Sequence, residues 1–325
     1  MKIAINGFGR IGRTILRQVL TRPQTAPIEV ALINDIAPLD MLAYLFAYDS
    51  TFGPWPGEVA GRGAALHVAD RAIPVTHAPD LAHTDLSGVD VLLDCTGIAR
   101  SSDVAARGLG AGAGKVLISG PSPAAELTVV LGANHDRLGD ARIVSNASCT
   151  TNALAPLVRL VEAEWGVETG WMTTIHCYTG SQPTIDAPGA EYARSRAAAL
   201  SMVPTTTSAQ RLLDVVLPGI AGRIEGAAVR VPVASVSAVD LTVMTRARPD
   251  VATVNAALAA AGGVIGRTDR PLVSSDLRAR PESIVMALPE TRVTSGGLLR
   301  LFGWYDNEWG FANRMLDVAA RMGSL

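Results

Sequence analysis

Lys2-Ile3-Ala4-Ile5-Asn6-Gly7-Phe8-Gly9-Arg10-Ile11-Gly12-Arg13-Thr14-Ile15-Leu16 stands at the start of the chain. Residues 2–6 read as a short apolar strand and residues 14–20 as a helix, with G-x-G-x-x-G over Gly7, Gly9 and Gly12 between them. In that setting the three glycines serve a tight turn, close approach of backbone to a pyrophosphate, and close helix–strand packing. The helix N-terminus supplies the positive end for phosphate. A second apolar strand, residues 28–33, ends in Asn34-Asp35. A carboxylate there accepts hydrogen bonds from adenosine ribose hydroxyls and repels a 2′-phosphate, which favours NAD over NADP. The competing reading of Asp35 is a simple helix cap.

Further apolar strands follow at residues 89–97, 115–120, 127–131 and 141–144, with helical stretches between them. Strands alternating with helices predict a parallel, doubly wound sheet, with ligands outside the carboxyl ends of its strands. Thr96 and Ser119 lie at such ends. Cys95 sits inside an apolar run and reads as a packed, inert thiol.

At 325 residues the chain is long enough for two domains. Its net charge of -2 gives no hint of a nucleic-acid-binding face. The three cysteines, Cys95, Cys149 and Cys177, are an odd number without metal spacing, so neither a metal site nor a disulfide framework is expected. Residues 1–5 run straight into the glycine motif, so no signal peptide is expected, and no apolar run of about 18 residues reads as a membrane span. The expectation is a soluble cytoplasmic protein.

The second landmark is Ser145-Asn146-Ala147-Ser148-Cys149-Thr150-Thr151-Asn152. It lies between an apolar strand and residues 153–164, where Leu154, Leu157, Val158 and Val161 fall at helical spacing. Cys149 therefore sits at a strand end, just before a helix or in its first turn. Backbone amides and the helix dipole there favour an anion, so its thiol pKa is expected to fall, making it a nucleophile. The alternative is a structural cysteine in a Ser/Thr-rich turn.

Residues 170–179 read as a strand carrying His176, the strongest candidate base. Its neighbour Cys177 should face away. Residues 178–202 are loop-like and carry Arg194 and Arg196. A hydroxyl cluster at residues 205–208 precedes an apolar helix over 209–216, and with nearby arginine makes an anion site. A long strand region then runs from Gly226 to Thr245, with Arg230 among apolar residues. These arginines also admit a reading as surface ion pairs. The last strand, residues 298–305, leads through Asn307 to a closing helix over 311–322.

These segments resemble the phosphorylating glyceraldehyde-3-phosphate dehydrogenase family from end to end. The matching pieces are residues 5–13, Asn34-Asp35, residues 145–152, Thr174-Ile175-His176, Arg230-Val231-Pro232 and residues 304–310. The cysteine segment is the most specific of them. The resemblance implies a doubly wound NAD-binding domain over 1–147, with helix 310–325 packing back on it. It also implies an α+β catalytic domain over 148–309 with a large, mostly antiparallel sheet. Cys149 would attack an aldehyde, with His176 as base, and phosphate would cleave the resulting thioester. NAD contacts would come from Gly7, Gly9, Arg10, Ile11, Gly12, Asp35, Ser119 and Asn307. Thr179 and Arg230 would hold the substrate phosphate; Ser148, Thr150, Arg194, Thr207 and Ser208 would line an inorganic-phosphate site. The family pattern implies a homotetramer, with the loop 178–201 at an interface, and no metal, nucleic-acid or membrane partner.

The chain departs from that pattern in several places. Ala153 stands where the family commonly has a second cysteine, Ser208 replaces a glycine after Thr207, and Ala187 replaces a bulkier residue beside Pro188. The loop 177–183 is unusual, and residues 309–317 are also similar to erythrose-4-phosphate dehydrogenases, which act on a four-carbon sugar phosphate.

Overall fold

The computed structural model describes residues 1–21 and 28–324, so the last residue of the closing helix expected over 310–325 lies outside it. The chain divides into two compact units. The first comprises Met1–Val129, His135–Ala147 and Phe311–Leu325; the second comprises Val130–Asn134 and Ser148–Gly310.

The first unit is built on β1 (Lys2–Asn6), β2 (Glu29–Asn34), β3 (Val59–Arg62), β4 (Ala65–Val68), β5 (Arg71–Thr76), β6 (Val91–Asp94), β7 (Lys115–Ile118), β8 (Leu127–Thr128) and β9 (Ile143–Ser145). They form one sheet in the order β3-β4-β5-β2-β1-β6-β7-β9-β8. All its pairs are parallel except β3–β4 and β4–β5. Helices α1 (Arg10–Thr21), α2 (Leu39–Ala47) and α3 (Ser102–Gly110) follow β1, β2 and β6. β1 lies between β2 and β6, so the chain reverses its winding direction at the glycine loop, the place where such sheets open a crevice. The core strands carry fully buried Ile3, Ile5, Ile33, Leu92, Leu93, Val116 and Leu117, as a sheet covered on both faces requires.

The strand expected over residues 127–131 stops at Thr128. The side chain of Asn134 accepts a hydrogen bond from Val130 N at 2.8 Å, which closes a turn and removes that amide from the ladder.

The second unit holds α4 (Cys149–Trp165), β10 (Val167–Cys177), β11 (Val203–Thr205), α5 (Ala209–Val216), β12 (Ile224–Val231), β13 (Ser237–Thr245), α6 (Val251–Ala261), β14 (Ile265–Thr268), β15 (Ile284–Ala287), β16 (Arg292–Val293) and β17 (Leu298–Tyr305). Its sheet runs β11-β12-β10-β13-β17-β15-β14, with β16 beside β17. Only β10–β12 and β14–β15 are parallel. The long strand region expected from Gly226 to Thr245 is two strands: Pro232 has no amide to donate, and the chain turns before β13. Both halves pair with β10, parallel through β12 and antiparallel through β13, so β10 is central and carries His176 near its end. Within β13 the buried alternation is Val239, Leu241 and Val243. The closing helix α7 (Trp309–Ser324) starts after Asp306, whose carboxylate accepts from the amides of Glu308 and Trp309.

Two glycines of the opening motif differ in what surrounds them. A Cβ on Gly12 would lie 2.3 Å from the carbonyl oxygen of Gly7, whereas one on Gly9 would meet no protein atom within 4 Å. Gly12→Ala is expected to destabilise the fold by about 1–3 kcal/mol, as overpacking does. Gly9→Ala should leave stability unchanged. Urea denaturation of the two variants tests this, and equal stabilities would contradict it.

Candidate active site

Cys149 opens α4. Ser148 is the N-cap: its Oγ accepts from Thr151 N at 3.1 Å and contacts Thr151 Oγ1 at 2.7 Å. The preceding Ala147 is fully buried at φ 54°, a left-handed conformation that L-residues other than Asn and Asp seldom take, so the chain enters the helix through a strained turn. The helix thus begins four residues earlier than the apolar spacing suggested, because Ser148 satisfies its first turn.

Cys149 Sγ lies 3.6 Å from His176 Nε2. His176 Nδ1 lies 2.7 Å from the carbonyl oxygen of Cys177. Two lone-pair-bearing atoms would repel at that distance, so Nδ1 carries the proton and donates it. In the neutral ring Nε2 is then a lone pair facing the sulfur. Cys177 itself points away from this contact, as strand alternation requires: its thiol donates to Asn307 Oδ1 at 3.1 Å, and its amide donates to Ser237 Oγ. Asn307 Oδ1 also accepts from Ser237 Oγ at 3.1 Å.

Arg230 pairs in register with His176 across β10 and β12. Its Nη1 lies 3.1 Å from His176 Nδ1, donates to the Cys177 carbonyl at 3.2 Å and reaches Thr179 Oγ1 at 3.5 Å. The shared carbonyl takes both protons, so the guanidinium sits against the edge of the ring. Burial and this guanidinium push the His176 pKa down to about 4, although the Cys177 carbonyl pulls it up. The imidazole is therefore a free base at neutral pH. The fall in thiol pKa expected from a helix start is outweighed here. Burial, the largest influence, pushes Cys149 up against the lowering effect of Arg230 and of the Thr150 hydroxyl and amide. Desolvation is what a sequence does not display. Both Cys95 and Cys177 are pushed up to about 12 by burial, in keeping with inert thiols.

Sequence reasoning missed Tyr305. Its phenol, buried at the end of β17, lies 2.8 Å from Thr150 Oγ1 and 2.8 Å from Thr174 Oγ1. It thereby ties the residue after the nucleophile to the residue two before the base. Its ring meets His176 edge-on at 6.0 Å. A buried tyrosine hydroxyl needs a partner, and Thr174 shares the strand face of His176; those were the available signals.

The remaining predicted residues fall into separate groups. Arg194 donates to Thr205 Oγ1 at 2.8 Å and lies 3.4 Å from Glu191. Thr207 Oγ1 accepts from Ala209 N at 3.2 Å, while Ser208 is exposed at the start of α5 without capping it. In the first unit Gly7, Gly9 and Asp35 line a cavity of about 400 Å³. Asp35 accepts from Phe8 N at 2.7 Å and from Ala37 N at 2.8 Å, which leaves acceptor positions on both oxygens. Arg10 is held by Asp49 at 2.5 Å, and neither Arg10, Ile11, Gly12 nor Ser119 lines that cavity. Among the described residues no group of three or more side chains could hold a metal ion, and no helix is long and apolar enough to cross a membrane.

Two family models match the chain. The NAD-binding domain of glyceraldehyde 3-phosphate dehydrogenase matches residues 1–102, and the C-terminal domain of the same enzyme matches residues 148–307. The chain is 46% identical to the glyceraldehyde-3-phosphate dehydrogenase of Xanthobacter flavus over 334 aligned residues, spanning 100% of this chain and 99% of that protein. Identity to the glyceraldehyde-3-phosphate dehydrogenase of Pseudomonas aeruginosa is 46% over 330 residues, with 100% and 98% coverage. To glyceraldehyde-3-phosphate dehydrogenase 1 of Bacillus subtilis it is 40% over 329 residues, with 98% and 97% coverage.

The chain belongs to the glyceraldehyde-3-phosphate dehydrogenase family.

Membership makes it an NAD-dependent oxidoreductase. The cavity of the first unit fits that cofactor: Gly9 leaves open space where a side chain would stand, and Asp35, held by two amides, lines the cavity with acceptor positions to spare for ribose hydroxyls. The two-part fold expected from the family, a parallel-rich sheet and a mostly antiparallel one, is the fold observed.

Removing the phenol should be felt throughout this site. Tyr305→Phe leaves two buried threonine hydroxyls without their partner and is expected to cost about 1–3 kcal/mol in urea denaturation. An unchanged unfolding midpoint would show that the Thr150–Tyr305–Thr174 link carries no weight.

Proposed function

We propose that this chain oxidises glyceraldehyde 3-phosphate to 1,3-bisphosphoglycerate, using NAD and inorganic phosphate. The observation that supports this reading is the 3.6 Å approach of Cys149 Sγ to His176 Nε2, with Nδ1 tied to a carbonyl. His176 takes the thiol proton, and the sulfur attacks the aldehyde carbon. The alkoxide so formed gains that proton back from Nε2, giving a thiohemiacetal. Bound NAD supplies the acceptor for the hydride that leaves this carbon. His176 again takes the hydroxyl proton as the carbonyl re-forms, which leaves a thioester on Cys149. A phosphate oxygen then attacks the acyl carbon, the carbon–sulfur bond breaks, and the thiolate leaves with an acyl phosphate as product. Thiolate is a good leaving group, and a thioester retains the free energy of the oxidation for that last step.

Arg230 and Thr179 carry the substrate phosphate in this scheme. Arg194, Thr207, Ser208, Ser148 and Thr150 serve the inorganic phosphate; the hydroxyl of Thr150 is also bound to Tyr305. Gly7, Gly9, Arg10, Ile11, Gly12, Asp35, Ser119 and Asn307 are assigned to NAD. Residues 1–147 with 310–325 serve the cofactor, and 148–309 the chemistry. We infer a cytoplasmic protein and a homotetramer; the assembly is supported by the loop before β11, which leaves Ile185, Tyr192, Leu200 and Met202 at least 74% exposed, an apolar set that a second copy would cover.

NADH formation should require both glyceraldehyde 3-phosphate and phosphate. Faster turnover with erythrose 4-phosphate would overturn the substrate assignment. Cys149→Ser should abolish turnover while NAD binding persists. His176→Asn should lower kcat by about 10²- to 10⁴-fold. Normal turnover in either variant would contradict the roles given to them. Light scattering should give the mass of four chains.

A further inference from the structure

Cys177 holds the base through its carbonyl, and its fully buried side chain does a separate job. The thiol donates to Asn307 Oδ1 at 3.1 Å. The amide of Cys177 donates to Ser237 Oγ at 3.2 Å, and the serine hydroxyl passes its own proton to the same Asn307 Oδ1 at 3.1 Å. The three residues close a ring of hydrogen bonds in which each donor has one acceptor. They come from the end of β10, the start of β13 and the junction of β17 with α7. A thiol can donate only while it keeps its proton, and burial pushes Cys177 up to about 12, so it is a donor throughout the neutral range.

Two donors on one oxygen fix which way the asparagine amide faces. Oδ1 is taken up inside the ring, so Nδ2, on the other side of the planar group, is turned out of it. Reversing the amide would leave the proton of the buried Ser237 hydroxyl without its acceptor, which desolvation penalises. Among the described residues no acceptor meets Asn307 Nδ2, and that nitrogen is not sealed from solvent. A donor pair held in one direction and open to its surroundings suits the carbonyl oxygen of a ligand, and the nicotinamide end of NAD carries one on its carboxamide. We propose that Cys177 and Ser237 are positioning residues for hydride transfer: their donors lock the Asn307 amide so that Nδ2 meets the carboxamide oxygen of NAD. This rests on the assignment of Asn307 to NAD. One residue then serves both sides of the reaction. The carbonyl of Cys177 sets the tautomer of the base, and its thiol sets the group that holds the hydride acceptor.

The test is equilibrium binding to the full-length chain by calorimetry, with NAD and ADP-ribose as the probes; the second lacks the nicotinamide. Cys177→Ala should raise the dissociation constant of NAD by about two- to tenfold, the range that loss of one hydrogen bond gives, and leave that of ADP-ribose unchanged. Cys177→Ser keeps a donor at the same place and should bind NAD within about twofold of the wild type. Ser237→Ala should repeat the pattern of Cys177→Ala, and it makes the same comparison should Cys177→Ala fold poorly. In turnover, Cys177→Ala should raise KM for NAD while KM for the sugar phosphate holds. Once Asn307 is replaced by alanine, adding Cys177→Ala should cost no further NAD affinity, because the thiol acts only through that amide. An unchanged NAD constant in Cys177→Ala would overturn the proposal. So would a loss shared equally by ADP-ribose, which marks a general loosening of the fold, or a full further loss in the Asn307→Ala background. If Asn307→Ala alone left NAD binding untouched, the assignment of Asn307 to NAD would be the part that fails.

Discussion

One hydrogen bond decides what the catalytic unit can do: His176 Nδ1–H to the carbonyl of Cys177, at 2.7 Å. An imidazole has one proton to place when neutral. Fixing it on Nδ1 leaves Nε2 as an acceptor, and Nε2 is the nitrogen 3.6 Å from the sulfur. With the other tautomer the sulfur would meet an N–H, and the thiol proton would have nowhere to go. Burial and Arg230 keep the ring neutral by pushing its pKa down to about 4. The same guanidinium favours the thiolate over the thiol, so it biases both partners toward the deprotonated form.

The fold supplies this arrangement through strand register. β10 is flanked on both sides, which makes the end of β10 rigid and brings Arg230 opposite His176. Ser148 starts α4 so that Cys149 occupies its first turn. Tyr305 then links the helix to the strand through two threonines, and its phenol, kept neutral by burial, has one proton to donate and lone pairs to accept. The separation between sulfur and imidazole is therefore set by α4 and β10, which follow one another in the chain, and by β17, which reaches them across 155 and 131 positions.

Much of this was legible in the residues because the signals were local. G-x-G-x-x-G between strand and helix, Asn34-Asp35 after the next strand, and a hydroxyl-rich turn before an apolar helix each carry their chemistry within about a dozen residues. The bounds of α5 and β17 are those read from the helix after the hydroxyl cluster and from the last strand. What stayed hidden was long-range or depended on solvent. Thr150 meets Tyr305 across 155 positions, and Arg10 meets Asp49 across 39. The region from Gly226 to Thr245 reads as continuous β-structure, whereas the structure ends one strand before Pro232 and pairs β10 with both halves. The direction of the Cys149 pKa was hidden for the same reason: a helix start is visible in sequence, but the removal of water around the sulfur is not.

The most direct test of the central claim is the rate of Cys149 alkylation by iodoacetamide as a function of pH, in the wild type and in His176→Asn. If Nε2 accepts the thiol proton, the wild-type sulfur reacts at pH values where the variant is nearly silent, and the variant's profile moves to higher pH. Superimposable profiles would mean that the imidazole does not take the proton, and the assignment of His176 as the base would be wrong.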